Sequence, residues 1–217
     1  FIAMSIKVHG YAMSTCTARV LLCLSEKGLE YEVVPVDVAN GAHKQQPYLS
    51  LNPFGQIPAF EDGDVKIFES RAISKYLARK YKDTGIDLLG SSSLTVSTIV
   101  DTWMEVESHQ FNSPMQAIIR QMIVNPIFGI ATDEKIIETE LEKLGKVLDV
   151  YEERLSKCKY LGGDFYSLAD LHHIPYLVYF MRTPKSSVIT SRPHVSAWWN
   201  DISSRPATVK VAETMKV

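Results

Sequence analysis

Ser14 is the residue of this chain best placed to do chemistry. It follows a short strand, Ile6-Lys7-Val8-His9, and precedes an amphipathic helix that begins at Thr15. A hydroxyl at such a junction lies beside unpaired backbone N–H groups and the positive end of the helix dipole. A bound thiol held there would meet a hydrogen-bond donor and a favourable field, and both stabilise the thiolate, the reactive form of sulfur. The position equally fits a plain N-cap, and this segment alone does not separate the two readings. Glu69-Ser70 repeats the pattern at the start of a second helix, where a hydroxyl and free N–H groups suit a carboxylate, or where the serine simply caps the helix. His43-Lys44 lie in a polar loop after Gly41 and, taken alone, are solvated donors. Cys16 falls in the first turn of the Ser14 helix, with its side chain expected to point away from Ser14. Asp170, His172 and His173 bring an acid and two imidazoles together, but they sit at a helix start and read as a buried cap network.

These residues need a scaffold, and the hydrophobic pattern supplies one. Ile6 and Val8 alternate with polar residues as in a strand. Ala18, Leu21, Leu22 and Leu24 keep a helical period up to about Lys27, and Gly28 closes the helix. Tyr31 to Val36 reads as a second strand, so the opening forms a βαβ unit with a parallel pair and a right-handed crossover. Ile57-Pro58-Ala59-Phe60 and Val65-Lys66-Ile67-Phe68 flank Glu61-Asp62-Gly63-Asp64, a hairpin signal. A helix over about 70–81 follows. The order βαβ-ββα is that of a thioredoxin-like domain, assigned to residues 1–83. Residues 84–92 read as a Gly- and Ser-rich linker, and 93–217 as an all-α helical bundle domain, giving an α+β domain followed by an all-α one. Within the second domain a helix runs over about 95–124 with Pro114 as a kink. Thr132 is the expected N-cap of a helix striped by Ile137, Leu141, Leu144, Leu148, Tyr151 and Leu155. Ser167-Leu168-Ala169-Asp170 fits a capping box, with Tyr166 and Leu171 placed as a hydrophobic staple.

Composition narrows the function classes. The chain has 217 residues, 46% of them hydrophobic, and a formal net charge of -2. That balance gives no electrostatic case for nucleic acid or an anionic membrane. The apolar runs are too short to span a bilayer, and the start lacks the features of a secretory signal, with Met4 read as the natural first residue. Three cysteines in no framework spacing suit a reducing compartment, so a cytoplasmic protein without disulfides is expected, and no His/Cys set has metal-site spacing.

Ser14…Arg19-Val20-Leu21, then Asn52-Pro53-Phe54-Gly55-Gln56-Ile57-Pro58, then Phe68-Glu69-Ser70-Arg71-Ala72-Ile73 together resemble the glutathione transferases. Tyr160-Leu161-Gly162-Gly163 and Leu168-Ala169-Asp170-Leu171-His172-His173-Ile174-Pro175 resemble the plant phi class in particular, and the match runs from about residue 6 to 211. The resemblance implies that Ser14 is the catalytic residue, donating to the glutathione thiolate. It implies that Ser70 takes a ligand carboxylate, that Glu69 accepts from the ligand ammonium, and that His43 and Lys44 contact the glycine carboxylate. Pro58 would be cis, Ile57 would pair with the peptide through its main chain while its side chain joins the core, and Gln56 would reach a carboxylate. Arg19 would anchor the helix or the local field without a direct catalytic part. Met13, Ile118 and Tyr179 are the leading candidates for an apolar second-substrate site, and Phe54 for a dimer contact.

The energetics of that role for Ser14 are adequate. A free thiol titrates near 8.5, and lowering that by about two units requires roughly 2.7 kcal/mol of preferential thiolate stabilisation. A hydrogen bond to a charged acceptor supplies about 1.5–3 kcal/mol and a helix N-terminus about 0.3–1. The expectation is a homodimeric, cytoplasmic stress-response and detoxification enzyme that conjugates glutathione to apolar electrophiles, with reduction of organic hydroperoxides as a further capacity. No cofactor is implied beyond the co-substrate glutathione, and no metal, nucleic acid or membrane partner. The competing readings are a non-catalytic carrier of flavonoids or other aromatic metabolites, and a thiol–disulfide reductase acting through Cys16.

Overall fold

The computed structural model describes residues 6–216, so Met4 lies outside the described residues. Four strands form one sheet in the order β2-β1-β3-β4. Strand β1 (Ile6–Gly10) pairs in parallel with β2 (Tyr31–Pro35) through helix α1 (Thr15–Glu26). Strand β3 (Ala59–Asp62) runs antiparallel to both β1 and β4 (Val65–Phe68), and helix α2 (Ser70–Lys80) follows. Alternation in β1 works as the sequence requires: Ile6 and Val8 are buried, Lys7 is exposed, and His9 meets Glu61 across the sheet at 2.6 Å. The hairpin is tighter than expected. Glu61 and Asp62 belong to β3 and Asp62 pairs with Val65, so only Gly63 and Asp64 of the four residues 61–64 form the turn.

All of residues 17–24 in α1 are buried. The reason is that α1 packs against β1 and α2, and also against the C-terminal helix α11 (Pro206–Thr214). Residues from Pro206 onward therefore group with the chain up to Asp87 as one compact unit, and 88–205 form the other. The sequence expectation had placed the C-terminal segment in the helical domain and the boundaries at 83 and 93.

The second unit is helical. Its first helix is continuous from Leu94 to Ile127, made of α3 (Leu94–Val106), α4 (Asn112–Ile119) and α5 (Asn125–Ile127) joined by π turns at Glu107–Phe111 and Arg120–Val124. Pro114 was expected to kink this helix. What is found is a π turn shortly before each of Pro114 and Pro126. A proline ring clashes with the carbonyl four residues back, and a wider turn moves that carbonyl aside. Helix α6 (Glu134–Leu155) buries Ile137, Leu144, Leu148, Tyr151 and Leu155. Its N-cap is Asp133, whose carboxylate accepts from the N–H groups of Lys135 and Ile136; Thr132, the expected cap, donates instead to the Gln121 carbonyl. The capping box at α7 (Leu168–Leu171) is present as expected. Buried Asp170 accepts from the N–H groups of Leu161 and Ser167, the Ser167 hydroxyl and the Trp198 indole. Burial pushes its carboxyl up, to about 6, against the pull of those donors. His173 is held between the Tyr151 hydroxyl and the Ala169 carbonyl. Asp170 and His173 are thus part of the bundle's buried network, and His172 is buried with its Nδ1 4.0 Å from the Glu107 carboxylate. Helices α8 (Ile174–Phe180), α9 (Ser187–Thr190) and α10 (Pro193–Ser203) complete the unit. Among the described residues, no helix is long and apolar enough to cross a membrane.

Candidate functional site

Strand register gathers the candidates. Gly10 lies opposite Pro35, His9 opposite Ala59, and Ala59 opposite Phe68. Gly10, Pro35 and Phe68, the last residues of their strands, and Ala59, the first of its own, therefore lie together along one edge of the sheet, the edge formed by strand ends. Every loop that leaves this edge carries a candidate: Ser14 after β1, residues 36–58 between β2 and β3, and Glu69-Ser70 after β4. Gly10 is required there, because a Cβ would lie 2.6 Å from the Thr17 hydroxyl in the first turn of α1.

Ser14 is the N-cap of α1, half-buried, and its oxygen accepts from the Thr17 N–H at 3.4 Å. A hydroxyl has two acceptor sites and one donor, so capping the helix leaves its hydrogen for a ligand. The two readings left open by the sequence are therefore compatible. Beside it Tyr11 is 49% exposed and donates to the Met13 sulfur at 2.7 Å.

Ser70 opens α2 but does not cap it. The N-cap is Glu69, exposed, at φ 71 and ψ 105, a left-handed conformation that costs a non-glycine residue about 1–3 kcal/mol. That turn delivers Ser70 into a buried position where its oxygen accepts from Arg19 at 2.8 Å. Arg19 is fully buried in α1, and its guanidinium also reaches the Cys16 sulfur at 3.8 Å. An arginine among the apolar residues of a buried helix was a legible sign that a partner waits, since a buried charge is costly unless paired or hydrogen-bonded.

The loop after β2 folds as two 3-10 turns, Ala42–Lys44 and Tyr48–Ser50. His43 is half-buried and Lys44 exposed, with the Lys44 ammonium donating to the Phe54 carbonyl at 3.0 Å. Gly55 adopts φ +56, and a Cβ there would come within 2.7 Å of the His43 carbonyl, so this glycine lets the two halves of the loop close together. The Ile57–Pro58 bond is cis, and so is Gln46–Pro47. Gln56 is exposed, and the Ile57 side chain is half-buried instead of fully in the core. The β3 ladder begins at Ala59, which leaves the Ile57 main chain outside the sheet pairing. The Gln56 carbonyl accepts from the buried Tyr48 hydroxyl and the buried Asn52 amide, each at 2.7 Å. Neither residue was given a role from sequence, although Asn52 heads the motif that ends in Pro58.

The apolar candidates fall in different units. Met13 is half-buried in the first. In the second, Ile118 on α4 has no exposed surface and Tyr179 on α8 keeps 5%, with the Arg182 guanidinium 5.8 Å from its ring centre. Met13 thus offers the most surface of the three to a ligand. Cys16, Cys23 and Cys158 are free thiols; burial pushes Cys23 up to about 12, which makes it unreactive at neutral pH.

Comparison with known proteins follows the same lines. The family described as Glutathione S-transferase, N-terminal domain matches residues 4–79, and Glutathione S-transferase, C-terminal domain matches 111–206. Glutathione S-transferase F13 of Arabidopsis thaliana is 51% identical over 99% of this chain and 98% of its own. The crystal structure of glutathione transferase F7 from Populus trichocarpa superposes with a TM-score of 0.96 at 57% identity, covering 98% of this chain and all of that one. Glutathione S-transferase I from maize, in complex with an atrazine glutathione conjugate, superposes at 0.92 with 46% identity, over 97% of this chain and 98% of that one. With a sheet edge arranged around Ser14 and relatives matched over nearly their whole length, the chain belongs to the glutathione S-transferase family and falls among its plant phi-class members.

Proposed function

We propose that the sheet edge binds glutathione and that Ser14 is the catalytic residue, donating its hydroxyl hydrogen to the glutathione thiolate. Ser70 and the first N–H groups of α2 take the carboxylate of the γ-glutamyl end, and Glu69 accepts from its ammonium. Ile57 pairs through its main chain with the cysteinyl segment. Gln56, His43 and Lys44 meet the glycine carboxylate. The observation that carries this reading is the state of the Ser14 hydroxyl: its oxygen is engaged by Thr17 N–H, and its hydrogen is left for an anion at a helix start.

In the reaction, the thiol proton leaves to solvent and the thiolate forms a carbon–sulfur bond to an electrophilic carbon. A leaving group departs with its electron pair, or a conjugated double bond takes up the electrons and then a proton. Catalysis comes from thiolate stabilisation and proximity, so no general base is required. The maize relative holds the conjugate of a chlorinated aromatic heterocycle, which supports aryl halides as a substrate class here. Met13, adaptable in shape, half-buried and adjacent to Ser14 in the chain, is the residue of the first unit proposed to meet the apolar substrate. Phe54, 66% exposed on the Gln56 loop, is the proposed contact between two copies in a homodimer. Three free thiols suit a cytoplasmic setting.

Conjugation of glutathione to a chlorodinitrobenzene tests the assignment. Ser14→Ala should lower kcat/KM at neutral pH by about 10- to 150-fold, the worth of one hydrogen bond to an anion. Cys16→Ser should leave it within about two-fold, the spread expected of a substitution away from a site's contacts. The reverse pattern would assign the chemistry to Cys16.

A further inference from the structure

We propose that Tyr48 and Asn52 are positioning residues for glutathione, acting through the one peptide unit they share. The inference rests on the reading above that Ile57 pairs with the tripeptide through its main chain. Gln56 C=O and Ile57 N–H belong to the same planar amide, so whatever fixes the oxygen also fixes the direction of the N–H. Two side chains fix that oxygen. The Tyr48 hydroxyl donates to it at 2.7 Å and the Asn52 amide donates at 2.7 Å, which occupies both lone pairs.

The clamp is itself braced. Tyr48 and Asn52 keep only 6% and 2% of their surface exposed. The Asn52 N–H donates to the Tyr48 carbonyl at 3.1 Å, so the two donors move as one. Asn52 Oδ1 accepts from the Phe54 N–H at 3.1 Å and the Asn52 carbonyl accepts from the Gly55 N–H at 2.9 Å, which sets the turn leading into Gln56. Burial raises the Tyr48 phenol to about 12, so it remains a neutral donor throughout the working pH range. Donation to an amide oxygen also polarises the amide and strengthens its N–H as a donor. The result is an N–H aimed and sharpened before the ligand arrives. The Gln56 side chain remains exposed and free to find its own contact.

A network that only stabilised the loop would predict a different outcome from one that aims the amide, and steady-state kinetics separate them. Tyr48→Phe, Asn52→Ala and the double variant are assayed with chlorodinitrobenzene, varying each substrate in turn, alongside thermal melts. Tyr48→Phe should raise KM for glutathione about three- to ten-fold, the loss of one hydrogen bond, with KM for the electrophile unchanged within about two-fold. The double variant should raise it by less than the product of the two single effects, because both donors act on one oxygen. Unchanged KM for glutathione in Tyr48→Phe, with or without a lowered Tm, would overturn the proposal. Ser70→Ala, which tests glutathione binding at this edge without touching Tyr48 or Asn52, is run in parallel. If Ser70→Ala raises KM for glutathione and Tyr48→Phe does not, the clamp fails and the binding reading stands; if neither does, the binding reading fails as well. Should Asn52→Ala not fold, Tyr48→Phe decides alone.

Discussion

Ser14 and Ser70 share a device. Each hydroxyl oxygen is supplied from within its own fold, Ser14 by the Thr17 N–H and Ser70 by Arg19 at 2.8 Å, and each therefore has its hydrogen to give to an anion. The difference lies in the supplier: a neutral amide for the residue proposed to face the sulfur, and a buried guanidinium for the one proposed to face a carboxylate. At the opposite end of the sheet another buried anion is held by the reverse arrangement. Asp62 accepts from Lys80 at 2.7 Å, Tyr81 at 2.8 Å and Tyr76 at 3.1 Å. Burial alone would raise its carboxyl, but the three donors and the Lys80 charge outweigh it and hold it below the usual carboxylate range. A depressed folded value means stability that is complete above the unfolded value near 3.9 and is lost as pH falls through the folded one. Urea denaturation at a series of pH values should show that loss below about pH 4 in the wild type and a flatter acid limb in Asp62→Asn. The variant should also be less stable at neutral pH by about 1–3 kcal/mol. Parallel acid limbs would mean that Asp62 is not the titrating group.

Elements were legible where a local pattern decided them and opaque where the deciding contact was remote. The strand alternation of Ile6 and Val8 and the Ser167–Asp170 capping box stand in the structure as read, and the α6 stripe stands at Ile137, Leu144, Leu148, Tyr151 and Leu155 but not at Leu141, which is only half-buried. The N-cap of α6 was misread because Thr132 and Asp133 both suit the position, and only the Thr132 contact to Gln121 decides against it. The π turns before Pro114 and Pro126 were not foreseen, because the sequence shows a proline but not whether the helix bends or widens around it. The burial of α1 on all sides was hidden too, since it depends on α11 about 190 residues away in the chain. Among the proposed site residues, Ser14, Gln56, Ile57, Glu69 and Ser70 are marked by a motif in the sequence; Tyr48 is not, because its partner is a backbone carbonyl that carries no sequence signal. The capping box also gives a sharp expectation. Asp170→Ala would strand several buried donors, one of them the Trp198 indole, and should destabilise the protein by at least ~3 kcal/mol in chemical denaturation. A change below about 0.5 kcal/mol, the range of an ordinary surface substitution, would mean that those donors find other partners.

At the scale of the molecule, one topological fact organises the proposed site. The mixed sheet brings the ends of β1, β2 and β4 and the start of β3 to a single edge, so segments far apart in sequence, Ser14, His43-Lys44, Gln56-Ile57 and Glu69-Ser70, converge with no long-range side-chain contact needed to gather them. The helix starts at that edge supply positive potential to a chain whose formal net charge is -2, so the proposed attraction of an anionic tripeptide rests on the edge and not on overall charge. That this edge ionises a bound thiol through Ser14 is checked by ultraviolet titration of enzyme-bound glutathione, following thiolate absorbance. In the wild type the bound thiol should titrate about two units below its free value near 8.5, and in Ser14→Ala it should return most of the way, with glutathione still bound. A bound thiol that titrates at its free value in the wild type, or at the same depressed value in both proteins, would mean that Ser14 does not stabilise the thiolate.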